Sequence, residues 1–321
     1  MTAFVHLMGP ESRCVERKRA CRITGAALLC LMLSACGRDT PATNGPEYSA
    51  APSAPVASEY VFAVHPLHNP KHLFEIYQPL VDHLNAHIPG LRMRLEASTD
   101  YGAFEDKLAH RRVAFALPNP YQTIKSFDHG YHVFAKMGDD AQFRGVMLVR
   151  RGSNIHGPRD LVGKSVSFPA RTALAATLLP QWYMHEHGID VDRQIDARYV
   201  GSQESSIMNV VIGKTDAGST WTQPWRAFQK DHADLAAGLE VAWETPALVN
   251  NALVARDDVP PTLVEAVRHE MTTLGSTPDG RALLASMQLS TFEVATDATY
   301  APVTAFITRF EHDVHPVEAT K

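Results

Sequence analysis

Short apolar runs alternate with amphipathic stretches along the chain from Glu59 onward. The first run, residues 60–64, predicts a buried strand. Asn69-Pro70 then opens a helix that Pro89-Gly90 ends. Its apolar positions follow the i, i+3, i+4, i+7 spacing: Leu73, Ile76, Tyr77, Leu80, Val81, Leu84 and Ile88. Further strands at 91–95 and 112–117, with a helix at 100–110, complete three βα units, which predict an α/β lobe with a mainly parallel sheet.

A second series of the same kind follows. Its strands are predicted at 146–149, 165–168, 197–200, 215–219 and 239–243. Its helices are predicted at 172–187, 202–212 and 224–237. Pro180 predicts a kink or break in the first of these helices. The remaining elements are a strand at 252–255 and helices at 262–274, 279–287 and 302–310. We therefore predict one lobe from residues 59–145 plus 246–315, and a second lobe from residues 146–245.

The N-terminus carries the pattern of an export signal. A basic cluster at residues 17–22 precedes an apolar run at 23–33, which is too short to favour a membrane-spanning helix. Leu33-Ser34-Ala35-Cys36 resembles the bacterial lipobox, whose cysteine is lipidated and becomes the new N-terminus after cleavage. We expect residues 1–35 to be a lipoprotein signal peptide and Cys36 to carry the lipid. Residues 36–58, rich in Pro, Ala and Ser, are expected to form a flexible tether.

Two further residues refine this interpretation. Gly37 follows the cysteine where an aspartate would favour retention in the inner membrane, so we expect a periplasmic protein anchored to the outer membrane. The basic region is long for such a signal, and Met8 is an alternative start to Met1.

Composition and charge narrow the function classes. The 321 residues are 45% hydrophobic and 20% charged, which is ordinary for a globular protein. The formal charge of −5 gives no basic footprint, so we expect no nucleic-acid partner. The four cysteines lie within the first 36 residues, at Cys14, Cys21, Cys30 and Cys36. The body of the protein therefore has neither a disulfide framework nor a zinc site built on cysteine.

Enzyme signatures are absent from the sequence. It contains no G-x-S-x-G elbow, no P-loop, no G-x-G-x-x-G and no H-E-x-x-H. His65, His68 and His72 lie close together, and His83 and His87 are one helical turn apart. We interpret these as solvated or packing histidines because no carboxylate stands beside them at ligand spacing. We predict no metal, no cofactor and no catalysis.

Two predicted helix starts carry polar residues that suit an anion. Residues 200–206 pass from a strand through a glycine into a helix, where free backbone N–H groups would meet Ser202 and Gln203. The alternative is an ordinary N-cap by Ser202. Residues 168–172 bring Arg171 and Thr172 to a similar place. A guanidinium there suits a carboxylate or phosphate group, and the alternative is a surface arginine.

The order of motifs resembles the periplasmic phosphate, phosphite and phosphonate binding proteins of ABC importers. The similarity covers about residues 60–310. Its carriers are 62–66 (FAVHP), Asp100-Tyr101, Asn119-Pro120-Tyr121, 146–153 (VMLVRRGS), 160–164 (DLVGK) and 213–218 (GKTDAG). The resemblance implies a type 2 periplasmic binding fold. In that fold two three-layer α/β lobes, joined by a two-strand hinge, close on a small ligand.

The same resemblance implies site residues and shows departures. It places Tyr101, Asn119 and Asp216 at the ligand. Phe143 occupies the position of a family tyrosine, where Arg144 could replace the lost contact with charge. The usual Ser-Thr-Ser-Gly run at one helix start is replaced by 173–176 (ALAA), and Gln203 stands where the family often has histidine. The predicted cleft residues are Tyr101, Asn119, Tyr121, Arg144, Arg171, Thr172, Ser202, Gln203 and Asp216.

These observations predict a monomeric, lipid-anchored solute-binding protein that serves an ABC permease. It would bind phosphate, phosphite or a phosphonate, perform no reaction, and meet the membrane only through its lipid. One alternative is a sensing module that reports its ligand to a membrane receptor, and another is a zwitterionic or amine ligand. A third is an enzyme with Asp216 or Glu204 as base and His65 as acid. If Arg171 is a buried ligand partner, Arg171→Ala should weaken anion binding by about 2 to 5 kcal/mol.

Overall fold

The computed structural model describes residues 59–318. The expected signal peptide, the lipidation site Cys36 and the whole of the expected tether lie outside this range. Within it, no helix is both long enough and apolar enough to cross a membrane.

Two mixed sheets organise the described residues. The strands are β1 (Tyr60–Val64), β2 (Met93–Glu96), β3 (Phe115–Leu117), β4 (Tyr131–Met137), β5 (Gly145–Arg150), β6 (Ser165–Phe168), β7 (Asp196–Tyr199), β8 (Ala217–Trp221), β9 (Leu239–Glu244), β10 (Ala252–Arg256) and β11 (Phe292–Val294). One sheet has the order β11-β4-β10-β3-β1-β2 and the other the order β7-β6-β8-β5-β9. We call the half built on the first sheet lobe 1 and the half built on the second sheet lobe 2.

Helices cover the sheets. They are α1 (Pro70–His87), α2 (Tyr101–Ala109), α3 (Pro120–Ser126), α4 (Leu179–Glu186), α5 (Gln203–Val211), α6 (Thr222–Asp231), α7 (Ala233–Ala236), α8 (Pro261–Thr273), α9 (Pro278–Ser286) and α10 (Ala301–Asp313). A π-helical turn, Leu174–Leu178, leads directly into α4, and Pro180 lies just after this change of helix type. The break predicted from Pro180 is therefore confirmed.

The prediction of mainly parallel sheets is wrong. β1 pairs in parallel with β2 and β3, and β6 does so with β7 and β8. The chain, however, leaves lobe 1 after β4 and returns at β10, so the strands that enter each sheet from the other lobe run antiparallel to their neighbours. β10 is antiparallel to β3 and β4, and β5 is antiparallel to β8 and β9.

The fold places four strand ends beside the cleft between the lobes. β1 and β3 run in parallel in lobe 1, and β6 and β8 run in parallel in lobe 2. Their carboxyl ends lead to His65, to Asn119, to the turn at 173–176, and to Trp221 itself. Because the carboxyl ends of parallel strands share one edge, each lobe presents its loops and helix starts at that edge.

Candidate functional site

A small cavity lies between the two lobes. Its lining comprises His65, Tyr101, Asn119, Phe143, Ala173, Leu174, Ala175, Ala176, Gln203, Trp221 and Asn251. Phe143 and Asn251 come from the two segments that cross between the lobes. The cavity volume is about 10 Å³, which is room for about one water molecule. The lobes are therefore closed on each other here.

One hydrogen-bonded chain crosses the cleft through Gln203. The Nε2 of Gln203 in lobe 2 donates to the hydroxyl oxygen of Tyr101 in lobe 1 at 3.0 Å. The Thr220 hydroxyl donates to Oε1 of Gln203 at 2.9 Å, which fixes the orientation of the amide. Burial raises the pKa of Tyr101, so its hydroxyl keeps its proton. Since that oxygen accepts from Gln203, its own O–H remains able to donate to a ligand.

Asn119 forms a second tie between the lobes. Its Oδ1 accepts from the backbone N–H groups of Tyr121 and Gln122, which caps α3. Its Nδ2 donates to the Thr172 carbonyl of lobe 2 at 3.1 Å. The Thr172 hydroxyl donates in turn to Glu105 of α2. Asn119 and Thr172 thus connect the closed lobes. The polar atoms of both side chains form hydrogen bonds within the protein in this closed form.

The turn Ala173–Ala176 lines the cavity, and none of its side chains carries a polar group. The first N–H groups of a helix have no partner within it, and the π-helical turn begins at Leu174. Thr177 does not supply a hydroxyl to the cavity, because its Oγ1 donates to the Ala170 carbonyl at 2.7 Å. The alanine-rich departure from the family pattern therefore leaves a helix start whose polar groups are main-chain N–H groups.

Two acceptors complete the lining. Nδ1 of His65 lies 2.9 Å from the Leu117 carbonyl, which can only accept, so we assign the proton to Nδ1 and the lone pair to Nε2. Burial lowers the pKa of His65 to about 4, so the imidazole is neutral near pH 7. Asn251 is fully buried, and its Oδ1 has no hydrogen-bond partner among the described residues. No lysine or arginine lies among the described lining residues.

The sequence matches a family whose members bind solutes for transport. The model of the periplasmic substrate-binding proteins of phosphonate ABC transporters matches residues 62–300. The chain belongs to this family. Its members are binding components of transporters and not enzymes, which settles against the enzyme alternative and places the protein in the periplasm.

Named relatives agree with the family match. The chain is 22% identical over 260 residues to the phosphate-import protein PhnD of Mycolicibacterium smegmatis, covering 76% of this chain and 79% of that protein. It is 25% identical over 150 residues to a probable ABC transporter phosphite binding protein, PhnD1, of Prochlorococcus marinus. That alignment covers 44% of this chain and spans half of the relative's length.

Solved structures confirm the predicted type 2 periplasmic binding fold. PhnD1 of Prochlorococcus marinus, solved with methylphosphonate, superposes with a TM-score of 0.73 at 17% identity, over 79% of this chain and 99% of that one. A binding component of a phosphonate transporter from Pseudomonas aeruginosa gives a TM-score of 0.74 at 16% identity, over 79% and 87% of the two chains. At these identities the likeness shows the fold alone.

Two of the predicted cleft residues, Tyr121 and Arg144, do not line the cavity. Tyr121 lies in lobe 1, and Arg144 lies in the first of the two segments that cross between the lobes. The Tyr121 ring lines a separate surface pocket beside Glu105 and Leu108, with Lys125 over its face at 5.5 Å. Arg144 is not among the residues that line the cavity, and its Nη2 and Nε donate to the Ala141 carbonyl at 2.7 and 2.9 Å. The suggested replacement of a lost tyrosine contact by Arg144 stays a prediction without a contact in the structure to support it.

Arg171 and Asp216 also lie outside the cavity. The Arg171 guanidinium stacks over the Tyr199 ring at 4.3 Å and is 3.8 Å from a carboxylate oxygen of Glu318. The Arg171 side chain is 42% exposed, which agrees with the surface alternative, and its role at the ligand stays a prediction. Asp216 precedes β8 and accepts from the backbone N–H and the hydroxyl of Ser165, at the start of β6. These bonds lower its pKa. The starts of parallel strands lie at the edge opposite the cleft, so Asp216 has a structural role.

Ser202 and Thr172 border the cavity without lining it. Ser202 caps α5, its Oγ accepting from the Ser205 backbone N–H at 3.1 Å, as the ordinary N-cap alternative predicted. Of the predicted set, the structure brings Tyr101, Asn119 and Gln203 together around the cavity.

Sequence reasoning missed other lining residues, chiefly His65, Trp221 and Asn251. The sequence analysis interprets His65 as a solvated or packing histidine, or as the acid of the enzyme alternative, and does not place it at the ligand. Asn251 belongs to a polar pair, Asn250-Asn251, directly before an apolar strand. A polar pair at that position on the returning segment is the signal that could have identified it.

A larger groove adjoins the cavity, and Gln203 lines both. It spans the lobes with a volume of about 360 Å³. Its lining holds three carboxylates and three imidazoles beside one ammonium group: Glu75, Glu204, Asp231, His68, His72, His232 and Lys71. Nδ2 of Asn69 in lobe 1 donates to Glu204 of lobe 2 at 2.8 Å, and Nε2 of His72 lies 3.7 Å from Asp231. These contacts connect the two lobes beside the cavity. The carboxylates in the lining make the surface of the groove acidic.

Proposed function

We propose that the cleft binds one small tetrahedral oxyanion, such as phosphate, phosphite or a phosphonate. The observation that carries the proposal is that the helix start at Leu174–Ala176 lines the cavity together with Tyr101, and in this proposal its main-chain N–H groups and the Tyr101 hydroxyl are the donors to the ligand. A helix start offers both unpaired donors and the positive end of the helix dipole. Neutral donors of this kind can hold an anion without a cationic side chain, as the lining requires.

The acceptors in the lining support a ligand that carries its own proton. Nε2 of His65 and Oδ1 of Asn251 can only accept a hydrogen bond in the states described above. Hydrogen phosphate, hydrogen phosphite and singly protonated phosphonates each offer an O–H group. The names of the relatives point to the same ligand class. PhnD of Mycolicibacterium smegmatis is named a phosphate-import protein. PhnD1 of Prochlorococcus marinus is named a probable phosphite binding protein, and its structure was solved with methylphosphonate.

Ligand entry requires the lobes to part. A cavity of about 10 Å³ does not admit an oxyanion, so the ties from Gln203 to Tyr101 and from Asn119 to Thr172 must open first. In this proposal the two crossing segments act as the hinge, and the ligand shifts the protein toward a closed form by bonding to both lobes.

The proposal places the protein on the periplasmic face of the outer membrane. Cys36 would carry the lipid and residues 37–58 the tether, and an ABC permease would receive the ligand. Replacing residues 1–36 by a cleavable signal peptide without a lipobox should move the protein from the membrane fraction to the soluble periplasmic fraction. Unchanged membrane association of that variant would contradict the anchor.

The acidic groove favours a second ligand class, a zwitterionic phosphonate that carries an amine. Its oxyanion would occupy the cavity while its ammonium group reached Glu204 or Asp231 across Gln203. An aminoalkylphosphonate should then bind more tightly than methylphosphonate, and Glu204→Gln should remove the difference. Equal affinities would confine the ligand to the cavity.

Isothermal titration calorimetry of the mature protein with phosphate, phosphite, methylphosphonate and sulfate tests the proposal. Sulfate is the matched control because it has the same shape but no proton at pH 7. Each buried acceptor left unpaired costs about 1 to 3 kcal/mol, so sulfate should bind at least about 10-fold more weakly. A protonated oxyanion at 100 times its Kd should also stabilise the fold by about 2.7 kcal/mol. No binding, or a preference for sulfate, would refute it.

A further inference from the structure

Two histidines and a glutamate meet in lobe 1, away from the cleft. His83 and His87 lie one turn apart on α1, and Glu270 lies on α8. Nε2 of His83 is 2.7 Å from Oε1 of Glu270. The rings of His83 and His87 stack with their centroids 3.9 Å apart. One ligand atom from each of the three residues lies within 4.8 Å of the others, which is close enough for the three to hold one metal ion.

One hydrogen bond prepares the imidazole of His87 for coordination. Nδ1 of His87 lies 2.8 Å from the His83 carbonyl, which can only accept a proton. The proton therefore sits on Nδ1, and the lone pair of Nε2 is free for a metal. A bond from the other ring nitrogen to a carbonyl is the usual support of a metal-binding histidine, because it fixes both tautomer and ring orientation.

We propose that His83, His87 and Glu270 bind one zinc ion in a three-ligand site whose fourth position is open to solvent. Zinc takes nitrogen and oxygen ligands at about 2.0 to 2.2 Å in a tetrahedral arrangement, so ligand atoms lie about 3.3 Å apart. Nε2 of His83 and Oε1 of Glu270 need to separate by about 0.6 Å from their present distance. The exposed side chain of His87 leaves the site open to solvent.

The donor set selects the metal class. Two imidazoles and one carboxylate suit zinc and neighbouring divalent transition metals, whereas calcium and magnesium prefer sites made of oxygen atoms. The fold supplies the carboxylate that the sequence lacks near the histidines, since Glu270 is 187 residues from His83.

The zinc ion would bridge α1 and α8 within lobe 1, because two of its ligands lie on α1 and the third lies on α8. None of the three residues lines the cavity or the groove. Zinc should therefore stabilise the fold by binding the native state while leaving oxyanion affinity unchanged.

The test is a zinc titration of the mature protein after removal of metal with a chelator. We expect one ion per chain, and at least a 10-fold loss of affinity in His87→Gln and in Glu270→Gln. Glutamine at position 270 can still hydrogen-bond to His83, so both variants should fold, with unchanged circular dichroism. His110→Gln is the matched control: His110 pairs with Asp106 at 2.8 Å on a helix but lacks a second histidine.

The position of the bound zinc ion provides a second test. Crystals grown with zinc should show an anomalous peak at the zinc absorption edge between the three side chains. Zinc should also raise the melting temperature of the wild type and of His110→Gln, but not of His87→Gln. Equal zinc affinity in all four proteins, or an anomalous peak only at other histidines, would overturn the proposal.

Discussion

Removing the Tyr101 hydroxyl tests the tie that closes the cleft. Tyr101→Phe keeps the ring, which packs edge-on against His65 with centroids 6.1 Å apart. It deletes the oxygen that accepts from Nε2 of Gln203 at 3.0 Å. Both side chains are at most 2% exposed, so water does not replace the lost partner in the closed form.

The expected loss follows from the unpaired amide. A buried donor without a partner costs about 1 to 3 kcal/mol, and this cost falls on the closed, ligand-binding form alone. Affinity for the oxyanion should therefore drop by about 5- to 150-fold. Calorimetric titration with whichever of phosphate, phosphite and methylphosphonate binds most tightly to the wild type measures this drop.

Tyr131→Phe is the matched control. The Tyr131 hydroxyl donates to the Val113 carbonyl at 2.7 Å, it is also fully buried, and it lies in lobe 1 away from the cavity. That variant should lose stability but keep its ligand affinity. If both phenylalanine variants bound with the wild-type Kd, the interpretation of Tyr101 as a closing contact would be refuted.

Three further outcomes are expected. Arg171→Ala should leave oxyanion affinity unchanged by calorimetry, since this guanidinium stacks on a tyrosine outside the cavity; a loss above 10-fold would return it to the site. Denaturant titrations should show stability falling by about 3 kcal/mol from pH 6.5 to 4 through His65, whose imidazole takes up a proton only on unfolding there, and His65→Gln should lack that component. Gly145→Ala should cost about 1 to 3 kcal/mol and weaken ligand binding, because its Cβ would stand 2.5 Å from the Ala175 carbonyl, whereas Gly157→Ala, with open space around it, should do neither.

The sequence predicted the elements whose periodicity was strong. α1 begins at the predicted Pro70 and ends just before the predicted Pro89-Gly90 stop, because seven apolar residues at helical spacing leave one face to bury. β4 was missed, since His132 and Lys136 interrupt its apolar pattern. Lys136 is nevertheless buried, with its ammonium between Asp140 and Glu293, and the sequence does not bring those carboxylates near it.

The sequence predicted the cavity residues that are polar and that lie between the end of a strand and the start of a helix. Tyr101, Asn119 and Gln203 each stand at or beside a helix start on the cleft edge. Asp216 was misplaced because proximity to β8 does not say at which end of the strand a residue lies. Arg171 was misplaced because its stacking partner, Tyr199, belongs to another strand. Glu270 could not be paired with the histidines from sequence spacing, because it lies 187 residues from His83.

A crystal structure of the mature protein with bound phosphite or methylphosphonate tests the central claim most directly. We predict that the oxyanion lies between the lobes, with its oxygens within hydrogen-bond distance of the main-chain N–H groups of Leu174–Ala176 and of the Tyr101 hydroxyl. An oxyanion bound elsewhere, or held in the cleft by an arginine or lysine instead of this helix start, would contradict the account.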